Sequence, residues 1–111
     1  MFAMKLDDAW NAELNEGMVT LTAYSRYFET TEKDILNIYK NIDSKMVTKI
    51  QVYGSDELAI DGRNYEKETW DIEFSNRTIN FRTLDKYRSF DIPESSILKL
   101  ADYIRSKKCT T

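Results

Sequence analysis

The sequence predicts an α+β domain: an antiparallel β-meander of about five or six strands with helices packed mainly on one face. Three observations carry this. Residues 69–93, TWDIEFSNRTINFRTLDKYRSFDIP, alternate apolar and polar side chains with the period of a half-buried strand. Two other stretches, 32–43 and the residues after Pro93, repeat apolar side chains at helical spacing. At 111 residues, with hydrophobic residues at 41% and only one proline and three glycines, the chain fits one packed domain spanning 1–111, fraying over 107–111.

In order along the chain, DDAWNAELNE (7–16) opens on two acids and places Trp10 and Leu14 four apart before Gly17, which predicts a short helix. MVTLTAYSRYF (18–28) sets Val19, Leu21 and Ala23 against Thr20 and Thr22, a single half-buried strand. Thr31 followed by Asp34 has the spacing of a capping box, and Ile35, Ile38, Tyr39 and Ile42 mark one face of a helix over 32–43. From Met46 the period becomes two through Thr48, Ile50 and Val52. Gly54-Ser55-Asp56 then reads as a turn, and Asp61-Gly62 as a second turn that sets Leu58 opposite Tyr65.

A two-residue turn at Ser75-Asn76 would oppose Trp70 to Phe81 and Ile72 to Ile79; a turn centred on Asp85-Lys86 would oppose Phe81 to Phe90 and Ile79 to Ile92. Both choices put Trp70, Ile72, Phe74, Ile79, Phe81, Phe90 and Ile92 on one inner face. Pro93 ends the meander, and Ile97, Leu100, Ala101 and Ile104 predict an amphipathic helix running through 106. No repeat, linker or low-complexity segment is read in this order.

Function is narrowed by elimination. Histidine, the commonest general base and metal ligand, is absent. Cys109 lies in a terminal tail beside Lys107 and Lys108, with no base to activate it. Glu66, Glu68, Asp71 and Glu73 are the carboxylates a divalent ion would need, but they also fit a solvated strand face that Arg82 neutralises. The glycines are isolated, so no phosphate loop is formed. Catalytic residues, metal and cofactor are therefore expected to be absent.

The formal net charge is -3, with an acidic start and a basic end, which identifies neither nucleic acid nor membrane as partner. Arg77, Arg82, Lys86 and Arg88 near Tyr87 hint at nucleic acid, but Asp71, Glu73, Asp85 and Asp91 are interleaved with them. No apolar run could cross a bilayer and no signal peptide is read, so a cytoplasmic location is expected. Residues with AT-rich codons greatly outnumber those with GC-rich codons, which suits a low-GC bacterium or its mobile elements.

Seven tyrosines favour protein interfaces; Tyr24, Tyr27, Tyr53 and Tyr87 fall at strand ends or on outer faces. The reading is a non-enzymatic, stoichiometric protein-binding module: an inhibitor or immunity-type protein, phage or mobile-element encoded, that blocks a host nuclease or defence enzyme. A nucleic-acid-binding accessory protein is the alternative, and a metal-dependent enzyme ranks third. The expected partner-binding residues are Asp71, Glu73, Asn80, Arg82 and Tyr87 on the outer face of the meander. Arg82 and Tyr87 would act as anchors, and the two carboxylates would complement a basic surface.

Overall fold

The computed structural model describes residues 2–24, 26–42, 49–58, 63–64 and 66–109. Its elements are β1 (Phe2–Lys5), β2 (Asn11–Asn15), β3 (Met18–Ala23), β4 (Arg26–Thr31), α1 (Glu32–Ile42), β5 (Lys49–Leu58), β6 (Arg63–Asn64), β7 (Glu68–Ser75), β8 (Thr78–Thr83), β9 (Ser89–Pro93) and α2 (Glu94–Cys109). The sheet is antiparallel in the order β1-β2-β3-β4-β5-β7-β8-β9, with the two-residue β6 pairing beside β5. The α+β class holds, but the meander has eight strands along its path, not five or six.

The extra strands come from the first half. Residues 11–15 form β2 and not a helix, because a spacing of four between Trp10 and Leu14 suits periods of both 2 and 3.6. Ala12 between them is also fully buried, and so decides for the strand. Glu16 and Gly17, at φ 50° and 86°, make the β2–β3 turn instead of a helix cap. The stretch 18–28 is two strands, since Tyr24 takes φ 54° and Ala23 pairs with Arg26. Gly54-Ser55-Asp56 is no turn either: β5 runs straight through it. Leu58 pairs with Arg63; the Asp61-Gly62 turn, Tyr65, Met46 and Thr48 lie outside the described residues.

In the second half the faces are as expected. Trp70, Ile72, Ile79, Phe81 and Ile92 are fully buried, with Phe74 and Phe90 packed against them. The β8–β9 register sets Phe81 against Phe90 and Ile79 against Ile92, as read. The β7–β8 register differs: Ile72 opposes Phe81 and Trp70 opposes Thr83, because the turn falls on Asn76-Arg77, both left-handed at φ 48° and 67°. This shift of two residues preserves the faces, since side chains alternate with period two. Helix α1 has its buried face at Ile35 and Ile38, and its start is capped by the Thr31 hydroxyl, which accepts from Asp34 N at 3.1 Å. Helix α2 buries Ile97, Leu100, Ala101 and Ile104 and continues past 106 to Cys109.

The structure also contains a repeat that the sequence reading passed over. The unit of four strands and a helix occurs twice, as β1-β2-β3-β4-α1 and as β5-β7-β8-β9-α2. Trp10, Glu13, Arg26, Phe28, Ile35 and Ile42 recur as Trp70, Glu73, Arg88, Phe90, Ile97 and Ile104, at an offset of 60 (Trp10 to Trp70) rising to 62 (Arg26 to Arg88). Registers correspond: Asn11 pairs with Thr22 and Asp71 with Arg82, while Leu21 pairs with Phe28 and Phe81 with Phe90. Even the join repeats, Glu32 N donating to Gly17 O and Glu94 N to Arg77 O, each at 2.9 Å.

The halves share one core. Phe28 meets Trp70, Phe81 and Phe90 with ring centroids 5.0, 5.3 and 5.2 Å away, and Trp10 meets Phe90 at 5.3 Å. The sheet therefore folds back about β5, the strand that pairs with both β4 of the first half and β7 of the second. Gly54 permits this, because a Cβ there would lie 2.3 Å from Phe28 Cζ. Both helices add their apolar residues to this same core, so they sit on the inner side, and α2 ties back to the first half through Phe2 stacked on Tyr103 and Ser96 hydrogen-bonded to Asp7.

Candidate functional site

The strand registers carry one outer face without interruption across all eight strands. Lys5 lies beside Asn11, Glu13 beside Thr20, Glu29 beside Ser55, Gln51 beside Asp71, and Arg82 beside Ser89. No helix among the described residues packs on it. It carries Glu13, Glu29, Glu57, Asp71, Glu73 and Asp91 against Lys5, Lys49 and Arg82, so it is acidic. Tyr27 and Tyr53 are exposed on it, 42% and 59%.

Four of the five expected partner-binding residues come together there. Asp71 opposes Arg82 and Glu73 opposes Asn80 on β7 and β8. Glu73, Asn80 and Arg82, with Ser75, Asn76, Thr78 and Asp91, line a polar hollow of about 400 Å³, and Asp71 lies outside it. Tyr87 does not join them on β9. It lies in the β8–β9 loop, 89% exposed, with its N–H held by Asp85 Oδ1 at 2.9 Å. Four residues, not two, are needed to close this hairpin, because Thr83 N donates to Arg88 O.

The carboxylates in this patch are already engaged. Gln51 Nε2 donates to Asp71 Oδ1 at 3.0 Å and Lys49 Nζ lies 3.2 Å from Oδ2. The Gln51 hydrogen bond, against a burial effect that raises it, together with Lys49 and the Arg82 charge, holds the Asp71 carboxyl below its usual range. Glu73 Oε1 is 3.9 Å from Arg82 Nη1, and Asn80 Nδ2 donates to Asp91 Oδ1 at 2.6 Å. Neither Lys49 nor Gln51 was legible as a partner, because their strand's pairing with β7 has no local sequence signal.

A second cluster lies inside. Asp56, fully buried on β5, receives Arg26 from β4 and Arg88 from the loop just before β9, with Glu68 also on Arg88. The arginines cover aromatic rings, Arg26 over Phe90 at 5.0 Å and Arg88 over Trp70 at 5.5 Å. This cluster joins the two halves, and its burial suits a structural role. Among the described residues no three acidic or Cys side chains are grouped to hold a metal ion, and no helix is long and apolar enough to cross a membrane. Comparison with protein-family models, curated proteins and solved structures finds no match to this chain.

Proposed function

We propose that this protein acts stoichiometrically, by binding another protein through the outer face of its sheet, as an inhibitor or immunity-type antagonist would. The observation that carries the reading is that α1 and α2 serve the inner face, while an acidic, tyrosine-bearing outer face runs across eight strands with no helix on it among the described residues. Its charge complements a basic surface, such as the groove of a nucleic-acid-binding enzyme, and disfavours direct contact with phosphates. The AT-rich codon bias of the composition suits a phage or mobile-element origin and a host defence enzyme as target.

Capture from a low-GC bacterial lysate with the tagged chain, with and without nuclease, tests this. A protein held at equal stoichiometry after nuclease treatment, and lost with the double variant Asp71→Lys and Glu73→Lys at unchanged melting temperature, is the expected result. Capture that nuclease abolishes, or that reversal of the outer face leaves unaltered, overturns it.

A further inference from the structure

The repeat shows what is missing beside β9. Strand β1 lies along β2 as the first part of β5 lies along β7: Met4 opposes Ala12, and Ile50 opposes Ile72. Beyond that point the halves differ. β5 runs on, and residues 55–58 cover the free edge of β4 from Glu29 to Arg26. After Lys5 the chain instead turns back through residues 7–10 into β2, with Leu6 N and Asp7 N donating to Trp10 O. β9, the counterpart of β4, therefore ends the sheet, with no strand on its far side among the described residues. Blunted edges are ordinary, and Asp91 and Pro93 are residues of the kind that blunt them. Two observations go further. Thr83 N donates to Arg88 O, so by the alternation of an antiparallel ladder the N–H and C=O groups of Ser89 and Asp91 point away from β8, and Arg26 Nη1 meets Ser89 O there at 3.1 Å. Phe90 is only half-buried, whereas its counterpart Phe28, with β5 beside it, is fully buried.

We propose that β9 takes an extended segment of a protein partner as an added antiparallel strand, in the place that residues 55–58 fill beside β4. The edge sets the chemistry of that segment. Its residue opposite Phe90 points inward and should be apolar, because it covers the ring and because Arg26 and Arg88 already have Asp56 and Glu68. The residues on either side of it point to the outer face, where Asp91 and Glu73 make the surface acidic, so they should be basic. A segment that alternates basic and apolar side chains fits both sides. The site adjoins the outer face but rests on the β9 edge alone.

The probe is the peptide acetyl-Thr-Lys-Val-Lys-Val-Thr-amide, titrated into the ¹⁵N-labelled chain. Saturable amide shifts and slowed amide exchange are expected at Ser89 and Asp91, and none at Tyr27 and Glu29, whose edge β5 already holds. Methylating the backbone nitrogens of both lysines removes the N–H groups that face β9 and should weaken binding about tenfold or more. Methylating those of both valines, which face away, should weaken it far less. The peptide with glutamate in place of lysine should bind weakest. Absent shifts overturn the proposal. So do shifts at Glu13 and Glu73 that ignore the methyl groups, which would mean charge alone, and shifts at Ala3 and Lys5, which would mean the β1 edge. A chain that sediments as a dimer, with the Ser89 and Asp91 amides exchanging slowly before peptide is added, overturns it too, since a second copy then holds the edge. Failure of the peptide with protein capture intact sinks the edge and leaves the outer face standing.

Discussion

Arg26 and Arg88 occupy the same place in the two halves and converge on one carboxylate: Arg26 Nε is 3.8 Å from Asp56 Oδ1 and Arg88 Nη1 is 3.5 Å from Oδ2. Burial pushes the Asp56 carboxyl up, the two arginines pull it down, and Glu68 pushes it up again, with burial prevailing. Its Oδ1 also accepts no hydrogen bond. Removing the carboxylate should take the acidic partner from Arg26 and leave Arg88 on Glu68, so Asp56→Ala should lose about 3 kcal/mol in urea unfolding, whereas Asp56→Asn, which keeps an acceptor, should lose less than half of that. The raised folded value fixes the sign of the pH effect. This group favours the fold most when protonated, below the usual value of 3.8, and loses that contribution as pH rises through the folded value. Asp56→Asn should remove this decline from the stability profile.

Strand β8 gives a sharper test of face assignment. Phe81 is fully buried against Phe28 and Phe90, while Arg82 beside it faces outward on Glu73. Phe81→Ala should cost about 3–5 kcal/mol and Arg82→Ala under about 1. Similar denaturation midpoints for the two variants would contradict the inward and outward assignment.

These faces were legible because alternation from Trp70 to Ile92 is unbroken, and a wrong turn position that shifts pairing by two residues still leaves every side chain on its proper face. The first half was less legible for local reasons. Ala23 pairs with Arg26 with no glycine, asparagine or aspartate between them in the sequence, so no turn chemistry separates β3 from β4. The repeat was hidden by the longer β8–β9 loop, which changes the offset at the point where Arg26 and Arg88 would have revealed it. Core positions also differ in size, Ala12 and Leu14 standing for Ile72 and Phe74. At the outer face, composition gave the acids and Arg82, but which acids are neutralised depends on β5 lying beside β7. That is a long-range pairing, set by the shared core and not by any short motif.

Gly54 and Gly17 should respond to alanine for different reasons. At Gly54 a Cβ would lie 2.3 and 2.6 Å from Phe28 ring atoms, and that ring is wedged among Trp70, Phe81 and Phe90. At Gly17 nothing lies within 4 Å, but φ is +86°. Gly17→Ala should therefore cost about 1 kcal/mol through backbone strain alone. Gly54→Ala should cost about 1–3 kcal/mol or more through overpacking. Pairing Gly54→Ala with Phe28→Leu should recover part of the loss, a coupling that Gly17→Ala with Phe28→Leu should not show; urea midpoints of the four variants decide it.

Asp7 supplies the last prediction, because it fastens the β1–β2 loop to the helix of the other half. Its Oδ1 accepts from Ala9 N and Trp10 N, each at 2.7 Å, and its Oδ2 accepts from the Ser96 hydroxyl at the start of α2. Burial raises the carboxyl, but the Ser96 hydroxyl, the two backbone N–H groups and the Lys5 charge outweigh it and hold it below 3.8. A lowered folded value contributes stability that is present above the unfolded value and is lost as pH falls through the folded one. Asp7→Ala should therefore cost about 1–3 kcal/mol at neutral pH, and the gap from the parent chain should narrow as pH drops below about 4. Ser96→Ala should reproduce only the Oδ2 share of that loss, since the two backbone donors remain. A gap that stays constant through the acid range would mean that the Asp7 charge plays no part, and that the loop is held by Leu6 and Trp10 packing alone.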